Sequence, residues 1–308
     1  MDISNYSSEP DWKVRSWLPY DLTAEKVVFF PDACPGRSPL PTGTACLLQR
    51  DDWRKFAVSD CGCGMRLLRS DLETSTLDSK RWDAVARELV NNKGGLGDLG
   101  GGNHFLDALE PYGNKQLHFL IHTGSRNESG LVDDLVERPE EFDHEFARVV
   151  GWARENRAAI QKAIEKVFGP LQLILDLPHN TCETQDDGSV IIRKGAVKVN
   201  EGDLNVIPSH MAGDVVLVSS TAKVASALSS LSHGTGRTIA RSSSKTFADA
   251  YDFAELRRRV LMPSFLDNAS LRTEGPYAYR NLNDCLDLIR DFVNEVDRFS
   301  VIGYMGHL

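Results

Sequence analysis

The sequence has no long hydrophobic run and no excess of basic residues. No stretch reaches the roughly 18 uninterrupted apolar residues of a membrane-spanning helix, and the N-terminus lacks the apolar segment behind a basic flank that marks a secretory signal. We therefore expect a cytoplasmic protein that does not contact membranes. The 35 Lys and Arg residues are outnumbered by 44 Asp and Glu residues, which gives a formal net charge of −9. A nucleic acid would therefore have to bind at a local basic cleft.

Two common binding motifs are also missing. The six cysteines form no paired C-x-x-C units, which excludes a zinc finger or ribbon. The glycine-rich stretch 94–102 follows a predicted helix and contains no Gly-Lys-Ser/Thr, which excludes a Walker loop. In a large cytoplasmic chain we do not expect disulfides, and metal binding or catalysis is the alternative use of cysteine.

Hydrophobic periodicity predicts helices over 77–90, 139–168 and 284–296. Short apolar runs predict strands at 27–30, 116–121, 171–177, 190–192 and 215–218. The strands and helices follow no regular βαβ rhythm, and no repeat, low-complexity tract or linker divides the chain. We therefore predict a single α+β domain that covers residues 1–308.

Residues that could bind a metal are concentrated in five short polar segments. They cover residues 59–65, 100–107, 120–126, 177–180 and 232–237, and they contain His104, His122, His179 and His233. Imidazole, thiolate and carboxylate together suit a transition metal such as Mn, Fe, Co or Zn, and one thiolate between two metals could hold both. A lone histidine after a strand is more often a turn or core residue. The residue pattern therefore leaves a metal site and a structural role about equally open.

Basic residues lie near the same segments, at Arg126, Arg193, Lys194, Arg237 and Arg241. The planar guanidinium group suits phosphate oxygens. Each of these residues taken alone is also compatible with an ordinary surface charge.

Eight motifs, taken in order, resemble the RtcB family of RNA-splicing ligases. They are SDCGCGM, GGGNHFLD, IHTGSRN, PHN, RKGA, IPSHM, SHGTGR and EGPYAYRN. The resemblance implies an α+β domain with central mixed β-sheets flanked by helices. It also implies a ligase that joins an RNA 3′-phosphate or 2′,3′-cyclic phosphate end to a 5′-hydroxyl end, using GTP and two Mn²⁺ ions. In this family a histidine first takes GMP through a P–N bond, and GMP then passes to the RNA 3′-phosphate. The roles implied are RNA repair or tRNA splicing, and the resemblance leaves open the oligomeric state and the need for an archease-like helper protein.

The resemblance also assigns site residues by motif position. The metal ligands would be Asp60, Cys63, His104, His122 and His179, with Cys63 bridging the two ions, and His233 would be the nucleophile. Nucleotide binding would fall to Asn103, Asp107, Asn180, Ser209, His210, Tyr279 and Met305. Phosphate and RNA binding would fall to Arg126, Arg193, Lys194, Arg237 and Arg241.

This chain departs from the family pattern around the nucleotide base. Asp107 stands where the family usually has a glutamate that reads guanine, and Met305 stands at or near a usual lysine. His210 lies in a turn that is usually Pro-Gly-Ser-Met, and Cys34 replaces a common histidine. Two alternative functions therefore remain: a dinuclear metal phosphoesterase acting on RNA or nucleotides, and a non-catalytic binder of RNA ends or nucleotides.

Overall fold

The fold is built from β-strands that form three sheets, with helices packed against the two larger ones. A computed structural model describes residues 1–36, 38–49, 51–57, 59–125, 128–306 and 308. The strands are β1 Asp2–Asn5, β2 Ala24–Cys34, β3 Thr42–Leu48, β4 Gly64–Glu73, β5 Phe105–Pro111, β6 Gln116–Thr123, β7 Leu171–Pro178, β8 Asn180–Thr184, β9 Val190–Lys194, β10 Ala196–Lys198, β11 Leu204–Pro208, β12 Asp214–Ser220, β13 Ser230–Ser232 and β14 Val293–Met305. The helices are α1 Asp11–Ser16, α2 Ser79–Asn91, α3 Ser129–Asp133, α4 Pro139–Phe168, α5 Arg241–Ala248, α6 Phe253–Arg259, α7 Asn268–Leu271 and α8 Leu282–Leu288.

The largest sheet has seven strands in the order β11-β12-β14-β5-β6-β4-β7, with antiparallel pairing throughout. A five-stranded sheet has the order β1-β2-β3-β9-β8 and is mixed, because β1 runs parallel to β2. A small third sheet pairs β10 with β13. The predicted α+β class is confirmed. Among the described residues, no helix combines the length and apolar character needed to cross a bilayer.

The two faces of the seven-stranded sheet carry separate hydrophobic layers. One layer packs β-strand residues such as Leu106 and Phe119 against α2 and α4, with Trp82 and Ile160 fully buried. The layer on the opposite face includes Phe253 of α6. Burial on both faces explains why the central strands read as nearly continuous apolar runs.

Helix α4 matches its sequence prediction at both ends. Pro139 occupies the first turn, followed by Glu140 and Glu141, which interact favourably with the helix N-terminus. Gly169 follows the last turn with φ of 78°, a conformation that glycine adopts without strain. The buried face of this 30-residue helix is mostly apolar but includes two adjacent polar residues in its middle, Asn156 and Arg157.

The helix predicted over 284–296 is wrong in its second half. Helix α8 ends at Leu288, and the chain continues from Val293 into β14, which pairs with both β12 and β5. Leu286, Ile289 and Val293 are spaced as on a helix face, but the hydrogen bonds to two neighbouring strands decide the conformation here. Tertiary pairing commonly overrides such local patterns.

Candidate active site

The candidate site lies where four neighbouring strands of the seven-stranded sheet begin or end, on one side of the sheet along the strand direction. Strands β4 and β5 begin at this end of the sheet, whereas the antiparallel strands β6 and β7 end there. The register sets Gly64 opposite both Thr123 and Pro178, and it sets Phe105 opposite His122. Residues at these strand ends are therefore brought together although they are far apart in sequence.

The turn before β4 has an unusual backbone that is held by hydrogen bonds. Ser59, Asp60 and Gly62 have φ of 74°, 54° and 73°, a left-handed region that costs energy for residues other than glycine. Asn180 Nδ2 donates to the Asp60 carbonyl at 2.9 Å, while Asn180 Oδ1 accepts from the Gly195 N–H at 2.8 Å. Both ends of the Asn180 amide are thus engaged in holding backbone.

The five predicted metal ligands form two overlapping groups that share one sulfur atom. Cys63 Sγ lies 3.4 Å from His122 Nε2 and 3.5 Å from His104 Nε2. His122 Nε2 lies 3.3 Å from His179 Nε2, and Asp60 Oδ2 lies 3.9 Å from His104 Nε2. The two groups are Cys63 with His122 and His179, and Cys63 with Asp60 and His104, each with donor atoms within 4.8 Å of one another.

These separations fit a pair of bound cations. Taking zinc as the reference ion, metal–sulfur bonds of about 2.3 Å and metal–nitrogen bonds of about 2.0–2.1 Å at tetrahedral angles place S and N about 3.6 Å apart and two N atoms about 3.3 Å apart. The two Cys63–histidine distances and the His122–His179 distance match these values, while the Asp60–His104 edge is wider. Thiolate, imidazole and carboxylate donors suit transition metals. The residues can therefore hold two cations that share the Cys63 thiolate.

Burial favours the protonation state in which histidine binds a metal. His122 and His179 are almost fully buried, and this burial, with other imidazoles nearby, lowers the pKa of both well below the usual 6.5. Burial and the neighbouring Asp60 carboxylate raise the pKa of the Cys63 thiol. A bound cation would oppose that shift, because it attracts the thiolate.

The second cysteine of the same turn points elsewhere. Cys61 is fully buried in a hydrophobic cluster that includes Phe142 and Phe146. Its backbone N–H donates to Ser129 Oγ at 2.9 Å, and its Sγ lies 3.7 Å from the Ala57 carbonyl oxygen. Cys61 belongs to neither metal-binding group of the described residues.

His233 lies beside the two donor groups and is held in one orientation. Its ring centroid is 4.3 Å from that of His179 and 6.0 Å from that of His122. His233 Nδ1 lies 2.7 Å from the Gly195 carbonyl oxygen and 2.6 Å from Asp32 Oδ2. The Nδ1–H group donates to the Gly195 carbonyl oxygen, whereas neither Asp32 carboxylate oxygen forms a hydrogen bond among the described residues. In the neutral ring Nε2 therefore keeps its lone pair.

Asp32 is a site residue to which the sequence analysis assigned no role. It is fully buried in β2, and neither carboxylate oxygen has a hydrogen-bond partner among the described residues, which is unusual for a buried carboxylate. The available signal was its position in the segment Pro-Asp-Ala-Cys-Pro-Gly at residues 31–36, but no spacing links that segment to His233. Only the approach of the five-stranded sheet to β13 brings the two residues together.

The predicted base-reading residues do not all share one face. Asp107 on β5 lies opposite Tyr304 on β14, and both are buried. Met305 is the next residue along the strand, and its side chain packs into the hydrophobic layer that includes Leu106, Leu99 and α2. Tyr304 therefore shares a side of the sheet with Asp107, and the geometry argues against the predicted base contact from Met305.

The buried Asp107 carboxyl group has one oxygen available for a hydrogen bond with a ligand. Its Oδ1 is buried without a hydrogen-bond partner among the described residues, and burial raises its pKa well above the usual value. Buried polar atoms are normally paired. An unpaired carboxyl oxygen near the candidate site therefore fits a group that hydrogen-bonds to a polar ligand.

Two of the predicted phosphate-binding arginines converge on one buried carboxylate, Glu274. Glu274 Oε2 accepts from Arg237 Nη1 and its Oε1 accepts from Arg241 Nε, both at 2.7 Å. The Tyr279 hydroxyl also donates to Glu274, and the Arg237 guanidinium lies 5.3 Å from the Tyr279 ring centroid. Arg237 is largely enclosed, whereas the Arg241 side chain is 49% exposed and its Nη2 approaches Gly102.

Arg193 is a structural residue in this fold. It is 2% exposed, and its guanidinium donates to Ser230 Oγ at 2.8 Å, Glu183 Oε2 at 2.8 Å and the Leu228 carbonyl at 3.1 Å. This geometry argues against the predicted contact between Arg193 and RNA. Lys194 points to the opposite side of β9, where its Nζ donates to the Ser59 carbonyl.

The remaining predicted residues have the following placements. Asn103 is half-buried in the turn before β5. Ser209 Oγ donates to the Asp214 carbonyl at 2.7 Å within the β11–β12 turn. In the same turn, His210 Nδ1 accepts from the Ala212 N–H at 3.3 Å, so Nε2 carries the proton and could donate. Arg126 lies outside the described residues.

Comparison with known proteins identifies the family. A family model described as tRNA-splicing ligase RtcB matches residues 137–306, more than half of the 308-residue chain. The chain belongs to the RtcB family. His179 and His233 lie inside the segment matched by the RtcB model, whereas Asp60, Cys63 and His104 precede it.

Several curated RtcB proteins are similar to this chain. RNA-splicing ligase RtcB2 of Escherichia coli is 28% identical over 312 residues, covering 83% of this chain and 81% of that protein. RNA-splicing ligase RtcB of Mycobacterium tuberculosis is 26% identical over 267 residues, and tRNA-splicing ligase RtcB of Nanoarchaeum equitans is 25% identical over 300. The matches cover 65% and 73% of this chain, and the chain spans 62% of the length of each of these two relatives.

Proposed function

We propose that the chain is an RNA ligase that joins a 3′-phosphate or 2′,3′-cyclic phosphate end to a 5′-hydroxyl end through a GMP adduct on His233. The observation that carries the proposal is the placement of His233 in an RtcB-family fold. Its ring stands beside two overlapping donor groups, and Nδ1 faces two hydrogen-bond acceptors. This arrangement supports a nucleophile whose attacking atom is Nε2.

Each residue of the site has a chemical task in this proposal. Two divalent cations held by the Cys63-centred groups, Mn²⁺ by family resemblance, would neutralise phosphate oxygens. His233 Nε2 forms a bond to the α-phosphorus of GTP while the bond to pyrophosphate breaks. The Gly195 carbonyl oxygen accepts the hydrogen bond from Nδ1–H, and the nearby Asp32 carboxylate stabilises the positive charge that develops on the ring.

The later steps transfer the same group without any further cofactor. Water first opens a 2′,3′-cyclic phosphate end by breaking the bond between phosphorus and the 2′-oxygen, which leaves a 3′-phosphate and a 2′-hydroxyl. The RNA 3′-phosphate oxygen then attacks the GMP phosphorus, the P–N bond breaks, and His233 is restored. The RNA 5′-hydroxyl then attacks the activated 3′-phosphate, loses its proton and displaces GMP. We propose that residues 1–308 act as one catalytic unit and that the half-exposed Arg241 contacts RNA, while Arg237 and Lys194 add positive charge from more enclosed positions.

One experiment distinguishes this function from its alternatives. The protein is incubated with Mn²⁺ and each of the four α-labelled nucleoside triphosphates, then denatured, and label on the protein is measured. A parallel reaction contains RNA with a 3′-phosphate and a 5′-hydroxyl. Protein-bound label together with joined RNA supports the ligase. Phosphate release without an adduct would indicate a phosphoesterase, and bound metal with neither signal would indicate a non-catalytic binder.

The Arg241 contact should be visible in the salt dependence of RNA binding. Each phosphate contact to a single strand contributes about −0.7 to the slope of log affinity against log salt. We expect Arg241→Gln to reduce the magnitude of this slope by less than about one unit, measured by fluorescence anisotropy at several salt concentrations. Arg258→Gln is the matched control, because Arg258 is exposed on α6 and paired with Glu255. Equal slopes in both variants would place the RNA elsewhere.

Nucleotide choice should be looser than the family pattern implies. Asp107 is one methylene shorter than glutamate and shares its side of the sheet with Tyr304. A carboxylate that reads guanine accepts hydrogen bonds from N1–H and N2–H₂, and each lost contact to a polar base edge costs on the order of 1–3 kcal/mol. Loss of both contacts would reduce discrimination by about a hundredfold or more. We therefore expect ATP to label His233 measurably, with a GTP preference below about a thousandfold.

Two variants test the origin of that nucleotide choice. Asp107→Glu should raise the ratio of GTP to ATP labelling, because it restores the reach of the carboxylate. Met305→Leu should leave the ratio unchanged, because this side chain packs on the opposite face of the sheet. A strong native preference for GTP would instead indicate that His210 or a shifted backbone reads guanine.

A further inference from the structure

Two adjacent polar residues in the middle of α4 contact the backbone of the turns that carry the metal ligands. Arg157 Nη1 donates to the Gly62 carbonyl at 3.0 Å and to the Thr123 carbonyl at 3.1 Å. Gly62 directly precedes Cys63, and Thr123 directly follows His122. One guanidinium nitrogen thus bridges the two segments whose donor atoms lie 3.4 Å apart.

Asn156 makes the corresponding contacts to the third ligand segment. Its Oδ1 accepts from the Gly97 N–H at 2.7 Å, and its Nδ2 donates to the Asp98 carbonyl at 2.9 Å. The same Nδ2 lies 3.4 Å from the Gly124 carbonyl oxygen. Asn156 therefore joins the loop that leads to His104 to the turn that follows His122.

The close approach of these turns to α4 depends on glycine. A Cβ atom added to Gly62 would lie 2.8 Å from Val150 Cα, and one added to Gly64 would lie 3.1 Å from Arg157 Cζ. Both distances are shorter than ordinary contacts. The segment around Cys63 thus packs directly on the helix, and the Arg157 side chain meets it without an intervening side chain.

Arg157 is itself fixed by a buried carboxylate. Its Nε donates to Asp176 Oδ1 at 2.6 Å, and Arg157 is 1% exposed. Asp176 also accepts from Arg66 Nη2 at 2.7 Å, and Arg66 Nη1 donates to Gln161 Oε1 at 3.1 Å. Arg66 therefore shares the buried network, but within the described part of the chain none of its side-chain hydrogen bonds reaches a turn that carries a proposed metal ligand.

We propose that Arg157 and Asn156 are the positioning residues of the two-cation site: Arg157 sets the spacing of Cys63 and His122 through their backbones, and Asn156 holds the loop that leads to His104. This inference rests on the metal site of the proposed function and extends it to residues that touch no cation. Residues behind metal ligands commonly change metal affinity by about 10–100-fold when they are replaced. Here the replaced residues would act on the metal ligands through their hydrogen bonds to main-chain carbonyls.

The test compares Arg157→Lys with Arg66→Lys in the full chain. Both variants keep a positive charge near Asp176 and weaken the same buried network, so both should lower the melting temperature. Only Arg157→Lys should weaken binding of Mn²⁺, by about 10–100-fold, in an equilibrium titration below the melting temperature. With Co²⁺ as a spectroscopic probe, it should also alter the thiolate-to-metal absorption band.

A second variant keeps the inference falsifiable if Arg157→Lys does not fold. Asn156→Ser retains a small polar group but loses the contact to the Asp98 carbonyl, and it should weaken Mn²⁺ binding relative to Arg66→Lys. Equal Mn²⁺ affinity in the folded variants and the native chain would overturn the positioning role while leaving the proposed metal site intact. Failure of the native chain to bind Mn²⁺ or Co²⁺ would instead refute the site itself.

Discussion

Replacing His233 with alanine is expected to abolish the covalent nucleotide adduct while leaving the metal content unchanged. The side chain lies beside the donor groups but belongs to neither of them. Its loss removes the proposed nucleophile of the first step and leaves the five donor residues in place. Label retained on denatured protein after incubation with Mn²⁺ and α-labelled GTP should fall to background, and metal per chain should stay at the native value.

A bypass substrate separates this role from a general loss of activity. RNA whose 3′-phosphate already carries GMP does not need the nucleophile, so His233→Ala should still join it in part. His179→Ala should fail in both reactions, because His179 belongs to a donor group. Loss of metal in His233→Ala would identify His233 as a ligand and would favour the phosphoesterase alternative.

Asp32→Asn tests how the nucleophile is oriented. The amide can present its N–H₂ to His233 Nδ1, which would favour the tautomer with the proton on Nε2. In a serine protease, where an aspartate likewise orients a histidine, the same change lowers the rate about 10⁴-fold. We expect adduct formation to slow by about 10²–10⁴-fold, with metal content unchanged, in a time course of label incorporation.

Replacing Cys63 with alanine is expected to remove most of the bound metal, whereas Cys61→Ala should leave it nearly unchanged. Cys63 is common to both donor groups, so its loss would take one ligand from each of the two proposed cation sites. Cys61 is only two residues away, but its side chain lies in the hydrophobic cluster beside α4. Metal per chain, measured by elemental analysis after dialysis against Mn²⁺, should therefore differ sharply between the two variants.

The pair of cysteine variants also controls for folding. Both side chains are buried, so truncation of either should cost stability by a similar small amount. Thermal melting with and without Mn²⁺ should show stabilisation by the metal in Cys61→Ala and little in Cys63→Ala. The reverse pattern would mean that the ligand register within residues 60–63 is wrong.

Local sequence signals predicted the elements whose ends and period are unambiguous. Pro139 with two glutamates and the closing Gly169 marked α4 at both ends, and apolar runs marked the cores of β2, β6, β7, β9 and β12. The same signals failed after Leu288, where a helical spacing of apolar residues lies in β14. A strand between two neighbours forms its hydrogen bonds with distant segments. The local spacing of apolar residues carries no information about those bonds.

The sequence motifs alone predicted the residues of the two donor groups and His233. The roles of these residues remain predictions. The short polar segments follow or precede apolar runs, and antiparallel strands bring such segments to a shared edge. The division of the donors around Cys63 depends on the register of β4 with β6 and β7. Register is a property of a pair of strands, so it could not be inferred from the local pattern of either strand.

The sequence by itself pointed to the five proposed metal donors and to His233, although no motif pointed to Asp32. Only the tertiary structure decided which side chains face one another. It buries Arg193 and turns Lys194 to the site because successive residues of β9 point to opposite faces. It sets Tyr304 rather than Met305 beside Asp107, since the pairing of β14 with β5 shifts between Val301 and Gly303. These outcomes depend on contacts between segments far apart in the chain, which side-chain chemistry and local spacing do not specify.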